Sequence, residues 1–182
     1  MDKADESAKK ARLDLPDALH QLRVAARSLR GLLKSSRPLL DREAADALRA
    51  QYWRDHGTTL AGLMAHHGID PEGYLAEVHD IDFAALTPEP ALAQAIRALP
   101  GLKIIHTNAD AAYAGRVLAR RELDVFDAVH GIGEVGYHPK PDPRSFAAVL
   151  RAHGLNPARC AMFEDDPRNL EVPFSLGMRT IL

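Results

Sequence analysis

The chain has 182 residues, 46% of them hydrophobic and 26% charged, with a net charge of −2. Those values suit a globular domain, or one core with a small appendage, and argue against a large nucleic-acid or membrane surface. The single cysteine, Cys160, excludes an internal disulfide framework, and no apolar run is long enough to span a bilayer. A cytoplasmic setting is the expectation, since the first residues, MDKADESAKK, lack the apolar core of a secretory signal.

Residues 1–12 are polar and mixed in charge, and 1–17 form a polar N-terminal segment. Residues 18–37 read as an amphipathic helix. Leu19, Leu22, Ala26, Leu29 and Leu33 share one face, and Arg23, Arg27, Arg30, Lys34 and Arg37 run along a neighbouring one. Such a basic stripe could meet phosphate, nucleic acid or acidic lipid; a solvated basic side is the simpler reading, and no nucleic acid or membrane partner is expected. Pro38 ends this helix. Helices are then predicted over Arg42–His56, closed by Gly57, over Leu60–His67, capped by Thr58 or Thr59, and from Pro71 to about His79. Residues 18–86 therefore read as one helical region. His66 and His67 are adjacent, so they point in different directions on a helix and read as surface or interface residues.

From Thr87 the pattern alternates. Helices are predicted at Pro90–Leu99, Asp110–Arg121, Pro143–His153 and Pro167–Leu176. Strands are predicted at Leu102–His106, Phe126–His130 and Cys160–Phe163, with a short last one at Thr180–Leu182. Alternation of this kind specifies an α/β fold, a Rossmann-like open parallel sheet, over residues 87–182. In such sheets the site lies beyond the carboxyl ends of the strands. There the sequence places Thr107 and Asn108, then Lys140 between Pro139 and Pro141, then the carboxylates Glu164, Asp165 and Asp166. Three adjacent acids repel one another unless a cation sits among them, and Mg²⁺ prefers carboxylate and water oxygens. Acidic capping of the next helix is the plainer alternative. A hydroxyl and a lysine beside a metal-bearing carboxylate cluster form a set that phosphoryl chemistry uses.

HTNAD, HPKPDPRSF and FEDDPRNL, in this order and spacing, resemble motifs two to four of the haloacid dehalogenase (HAD) superfamily, and within it the pyrimidine 5′-nucleotidase-like phosphatases. The resemblance covers Tyr52 to Leu182, and YWRDHGTTLAGLM is similar to the helical cap of those enzymes. It implies a Mg²⁺-dependent hydrolase of a small phosphate monoester, such as a nucleoside monophosphate. It further implies that Thr107 and Asn108 bind phosphate and that Lys140 neutralises nucleophile and phosphate. Asp165 would ligate Mg²⁺ with Glu164 or Asp166 assisting, and Asn169 would support them from behind. The first motif, DxDxT, has a degenerate counterpart in RLDLPDALH, where Asp14 takes the place of the nucleophile, Pro16 that of the general acid and Ala18 that of the threonine. The run before it, Ala8 to Leu13, carries three cations, which a central strand does not bury. A homodimer, in which a second copy lends the missing strand, is one arrangement compatible with this; a non-catalytic phosphate-, nucleotide- or partner-binding relative is another.

Overall fold

The computed structural model of the protein describes residues 42–182. The reading of residues 18–37 as a basic helix, the candidate nucleophile Asp14 and the rest of the first motif lie outside the described residues.

Three helices come first. Helix α1 (Arg42–His56) is free of glycine and proline and places Ala45 and Tyr52, two turns apart, in the interior. Gly57 ends it at φ +80°, a left-handed conformation that costs glycine nothing. In α2 (Thr59–His67) the Thr58 hydroxyl accepts the Ala61 N–H at 3.1 Å, and Gly68 closes the C-terminus at φ 59°. In α3 (Pro71–Val78) the Asp70 carboxylate accepts the N–H groups of Glu72 and Gly73, with Pro71 in the first turn. Gly62 allows α1 and α2 to close together, since a Cβ there would fall 2.3 Å from Cγ of Tyr52.

The remainder alternates helix and strand: α4 (Pro90–Ala98), β1 (Ile104–His106), α5 (Ala111–Arg121), β2 (Ala128–His130), α6 (Pro143–Ala152), β3 (Ala161–Phe163), α7 (Arg168–Ser175) and β4 (Arg179–Ile181). Each element predicted from Arg42 onward is present, mostly one or two residues shorter at an end. The α/β architecture with parallel strands is as the alternation requires. Two βαβ units result: β1 pairs β2 in parallel, with Ile105 opposite Val129, and β3 pairs β4, with Met162 opposite Thr180.

One expectation changes in detail. The strands make two separate two-stranded sheets, because β1 has no ladder partner besides β2, and β3 none besides β4, among the described residues. The apolar run before the acidic triplet, expected to be buried, is therefore open on one face: Ala161 is exposed and Phe163 is 59% exposed. A strand paired along one edge and uncovered on one face cannot bury its alternate residues.

The main apolar cluster joins Leu60 of α2, Leu75 of α3, Ile132 and Val135 of the loop after β2, and Val149 of α6. The helical region thus packs directly onto the loop that carries Lys140. Gly57 sits on the same loop, its notional Cβ 3.4 Å from Pro139 and 3.5 Å from the Lys140 carbonyl oxygen.

Candidate functional site

The site is assembled from three strand ends. Beyond β1, the Thr107 N–H donates to the His130 carbonyl at 2.9 Å, and the Thr107 hydroxyl accepts the Ala109 N–H at 3.1 Å. The residue capping α5 is Asp110, whose carboxylate accepts the Tyr113 N–H at 2.6 Å and also pairs with His79 Nδ1. Asn108 reaches across to Lys140. Its Oδ1 accepts the Lys140 N–H at 2.7 Å, and its Nδ2 donates to the Lys140 carbonyl at 3.2 Å. Asn108 therefore fixes the backbone of the lysine rather than pointing outward with its amide unused.

Beyond β2 the chain must pass close to the start of α5. A Cβ on Gly131 would lie 2.4 Å from the Ala111 nitrogen, so only glycine fits. The Glu134 carboxylate accepts the Gly131 N–H at 2.9 Å, and Tyr137, at φ 59°, donates its N–H to the Ile132 carbonyl at 2.8 Å. These contacts order the loop and deliver Lys140, which is only 8% exposed. Asp142 then caps α6 by accepting the Arg144 N–H at 2.9 Å.

Beyond β3 the three acids separate in role. Glu164 forms an ion pair with Lys140 and also accepts from Asn169 Nδ2 at 2.8 Å and from the Asp165 N–H at 2.9 Å. Burial alone would raise the Glu164 carboxyl, but the hydrogen bond and charge of Lys140, with Asn169 assisting, hold it down at about 2. Asp166 is bound by Arg168, with NH2 to Oδ2 at 2.6 Å, and it accepts the Arg168 N–H at 3.0 Å. That hydrogen bonding holds Asp166 below the usual carboxylate range. Asp165 is exposed and enters no salt bridge among the described residues.

Asn108, Lys140, Glu164 and Asn169 are thus linked in one cluster through Lys140 and Glu164, while Thr107, next to Asn108 in the chain, bonds only within the β1 and β2 ends among the described residues. Asp165 stands at its solvent side. The alternative of acidic residues serving the next helix is met by Asp166, which accepts the first N–H of α7, that of Arg168. The pairing of Lys140 with the first acid of the triplet was not foreseen, since sequence cannot say which of three neighbours turns inward.

Two further features escaped the sequence reading. The Arg168 guanidinium lies 3.7 Å from the ring centroid of Trp53, so α1 contacts the start of α7. His106, the last residue of β1, is packed edge-on against Phe146, and its Nε2 is buried without a hydrogen-bond partner. Burial, then the charge of Lys140, lowers its pKa to about 4, so the ring is neutral at pH 7. An Ile-Ile-His strand end was a signal for a polar residue near the site, but not for its neutral state.

Residues 7–173 match the haloacid dehalogenase-like hydrolases. The chain belongs to that family. The match is in keeping with the strand-end placement of Thr107, Lys140 and the acidic triplet. Among solved structures, the chain is similar to the crystal structure of an L-2-haloacid dehalogenase, with 17% identity, a TM-score of 0.50, and coverage of 86% of this chain and 77% of that one. At that identity the likeness speaks for the HAD fold alone. Among the described residues of this HAD-like chain, no helix is long and apolar enough to cross a membrane.

Proposed function

We propose that this HAD-like hydrolase acts on a small phosphate monoester, with a nucleoside monophosphate as the specific candidate, and that Mg²⁺ is its cofactor. The observation that carries the reading is the cluster of Asn108, Lys140 and Glu164 drawn from three strand ends, with Thr107 adjacent to Asn108 in the chain and Asp165 exposed beside Glu164. Lys140, buried at 8% exposure, would supply the positive charge that a phosphoryl oxygen needs. Thr107 presents a hydroxyl and Asn108 holds the lysine's backbone in place.

Among the described residues no group of three His, Cys, Asp or Glu side chains could hold a metal ion unaided. Mg²⁺ does not need one, since it commonly takes one or two carboxylates and completes its shell with water and substrate phosphate. The donor chemistry fits: among the described residues Asp165 has no cationic partner, whereas Glu164 and Asp166 are engaged by Lys140 and Arg168. Asp165 would hold the ion as its carboxylate ligand. When bound it would offset charge on the phosphate oxygens. Asp14, the nucleophile that the resemblance implies, would attack phosphorus as the ester P–O bond breaks. The alkoxide would leave and take a proton from solvent, and water would then cleave the aspartyl phosphate. Pro16, in the acid's place, cannot transfer a proton, a loss of roughly 10²–10⁴ in rate where general acid catalysis matters.

That same proline supports a second reading, a non-catalytic relative that retains phosphate or nucleotide binding. Incubation of the full chain with Mg²⁺ and an aryl phosphate separates the two. Slow turnover abolished by Lys140→Ala and by Asp14→Asn is expected. Turnover unchanged by Asp14→Asn removes Asp14 as nucleophile, and none above the Lys140→Ala control removes catalysis. Mg²⁺-dependent phosphate binding without turnover then favours the second reading, unless Asp165→Ala binds equally well.

A further inference from the structure

Away from the strand ends, two histidines converge across the α1–α2 hairpin. His56 closes α1 and His66 lies in the last turn of α2, and their Nε2 atoms are 3.0 Å apart. The rings meet edge to face, 4.9 Å between centroids at 74°. Their geometry is set from behind. The ring of His66 stacks on Tyr52 at 5.3 Å and 5°, and Tyr52 is itself buried, with its hydroxyl 2.7 Å from His67 Nε2. Tyr52 can sit there because Gly62 has no side chain. Two imidazole nitrogens are therefore held facing one another by packing that neither histidine provides.

We propose that His56 and His66 form a binding site for a divalent transition ion of the Zn²⁺, Ni²⁺ or Cu²⁺ class. Metal–nitrogen bonds of about 2.0–2.1 Å, opened to between roughly 90° and 109°, separate two ligand nitrogens by roughly 2.8–3.4 Å. The observed 3.0 Å falls inside that span. Without a metal the two rings share one proton, one ring donating and the other accepting; the ion replaces it. Imidazole selects this class of ion over Mg²⁺, whose preference is for oxygen. A second pair, His130 and His153, approaches to 2.7 Å, shorter than the span two ligands of one ion require. The exposed position of His66 leaves room for water to complete the coordination shell. Because Gly57 packs against Pro139 and the Lys140 carbonyl, an ion here would also fasten the hairpin that rests on the Lys140 loop. The within-helix spacing of His66 and His67 hid this site, since its second ligand lies ten residues upstream on another helix.

The site does not depend on the proposed phosphatase reaction, and Mg²⁺ in excess separates the two. Isothermal titration of the untagged full chain with ZnCl₂, in buffer containing millimolar Mg²⁺, should show one saturable event. His56→Gln and His66→Gln should each weaken it about tenfold or more, and the double variant should be no worse than either single one. Asp165→Ala and His153→Gln should leave it intact. Zn²⁺ should raise the thermal midpoint of the wild type and of those two controls, but not of the His56 or His66 variants. No zinc binding by the wild type, or equal binding by the His56 and His66 variants and the wild type, overturns the proposal.

Discussion

Lys140→Met isolates the ion pair that joins the strand ends. The methionine keeps most of the buried stem and removes only the ammonium. In the wild type the Lys140 and Glu164 side chains are 9% and 8% exposed, so neither charge is well hydrated. Removing one partner of a buried pair typically costs 3–5 kcal/mol. Here the lower end applies, because Glu164 keeps the Asn169 amide at 2.8 Å and the Asp165 N–H at 2.9 Å. A loss of about 3 kcal/mol at pH 7 is expected from urea unfolding. Lys140→Met combined with Glu164→Gln should recover much of it. The pH dependence has a defined sign. Glu164 sits at about 2 when folded and near the ordinary glutamate 4.5 when unfolded. Its contribution is therefore complete above about pH 4.5 and fades as pH falls towards 2. In Lys140→Met the carboxyl is no longer held down, so Glu164 protonates earlier and the penalty at pH 4 is smaller than at pH 7. A penalty below about 0.5 kcal/mol at pH 7, or one that grows on acidification, refutes the buried-pair account.

Gly131→Ala and Gly62→Ala rank by what their new methyl groups would meet. The first presses on the Ala111 nitrogen at 2.4 Å and the Ala109 oxygen at 2.7 Å, which are backbone, and the second on the Tyr52 side chain at 2.3 Å. Both should destabilise in thermal unfolding by about 1–3 kcal/mol or more, with Gly131→Ala the worse because backbone cannot rotate aside. Asp110→Ala removes the α5 cap and the partner of His79 together, so its cost should exceed the roughly 1 kcal/mol of a lost cap alone; equality with a cap-only loss in a denaturant titration removes the His79 pair from the account. Arg168→Met should leave Asp166 without its cation and raise the Asp166 pKa towards the ordinary carboxylate range, measurable by carboxyl NMR titration.

The helices were legible because their ends are written locally. Thr58, Asp70 and Asp142 carry side-chain acceptors for the first N–H groups, and Gly57 and Gly68 supply the left-handed exits. The strands were legible in place but not in assembly. Ile104 and Met162 look alike in a sequence, and whether their strands share a sheet depends on a pairing partner far along the chain. The same distinction explains the site. That Lys140 would be held in place was readable from the flanking prolines, but its actual restraints come from Asn108, 32 residues earlier, and Glu164, 24 residues later. His106 and the Trp53–Arg168 contact were illegible for the same reason, since each is defined by what packs against it.

The division of labour within Glu164-Asp165-Asp166 follows from strand and turn geometry. Glu164 N–H donates to the Ile181 carbonyl at 3.1 Å, so Glu164 still runs alongside the β4 ladder and its longer side chain can reach Lys140. Asp166 comes after the turn, where its short side chain meets the Arg168 N–H and caps the start of α7. Asp165, between the two, is turned outward. One acid therefore anchors the lysine, one meets the helix start with its side chain still 29% exposed, and the middle one is the most open to solvent. Neutralising the flanking acids internally lets three adjacent carboxylates coexist without a metal to hold them together. It also concentrates whatever cation affinity the triplet has on Asp165. Under the proposed Mg²⁺ reading, the acidic cluster would offer one ligand, Asp165, between two acids engaged by Lys140 and Arg168. An oxygen-ligated ion that also takes water and phosphate needs no more than that from this side of the site.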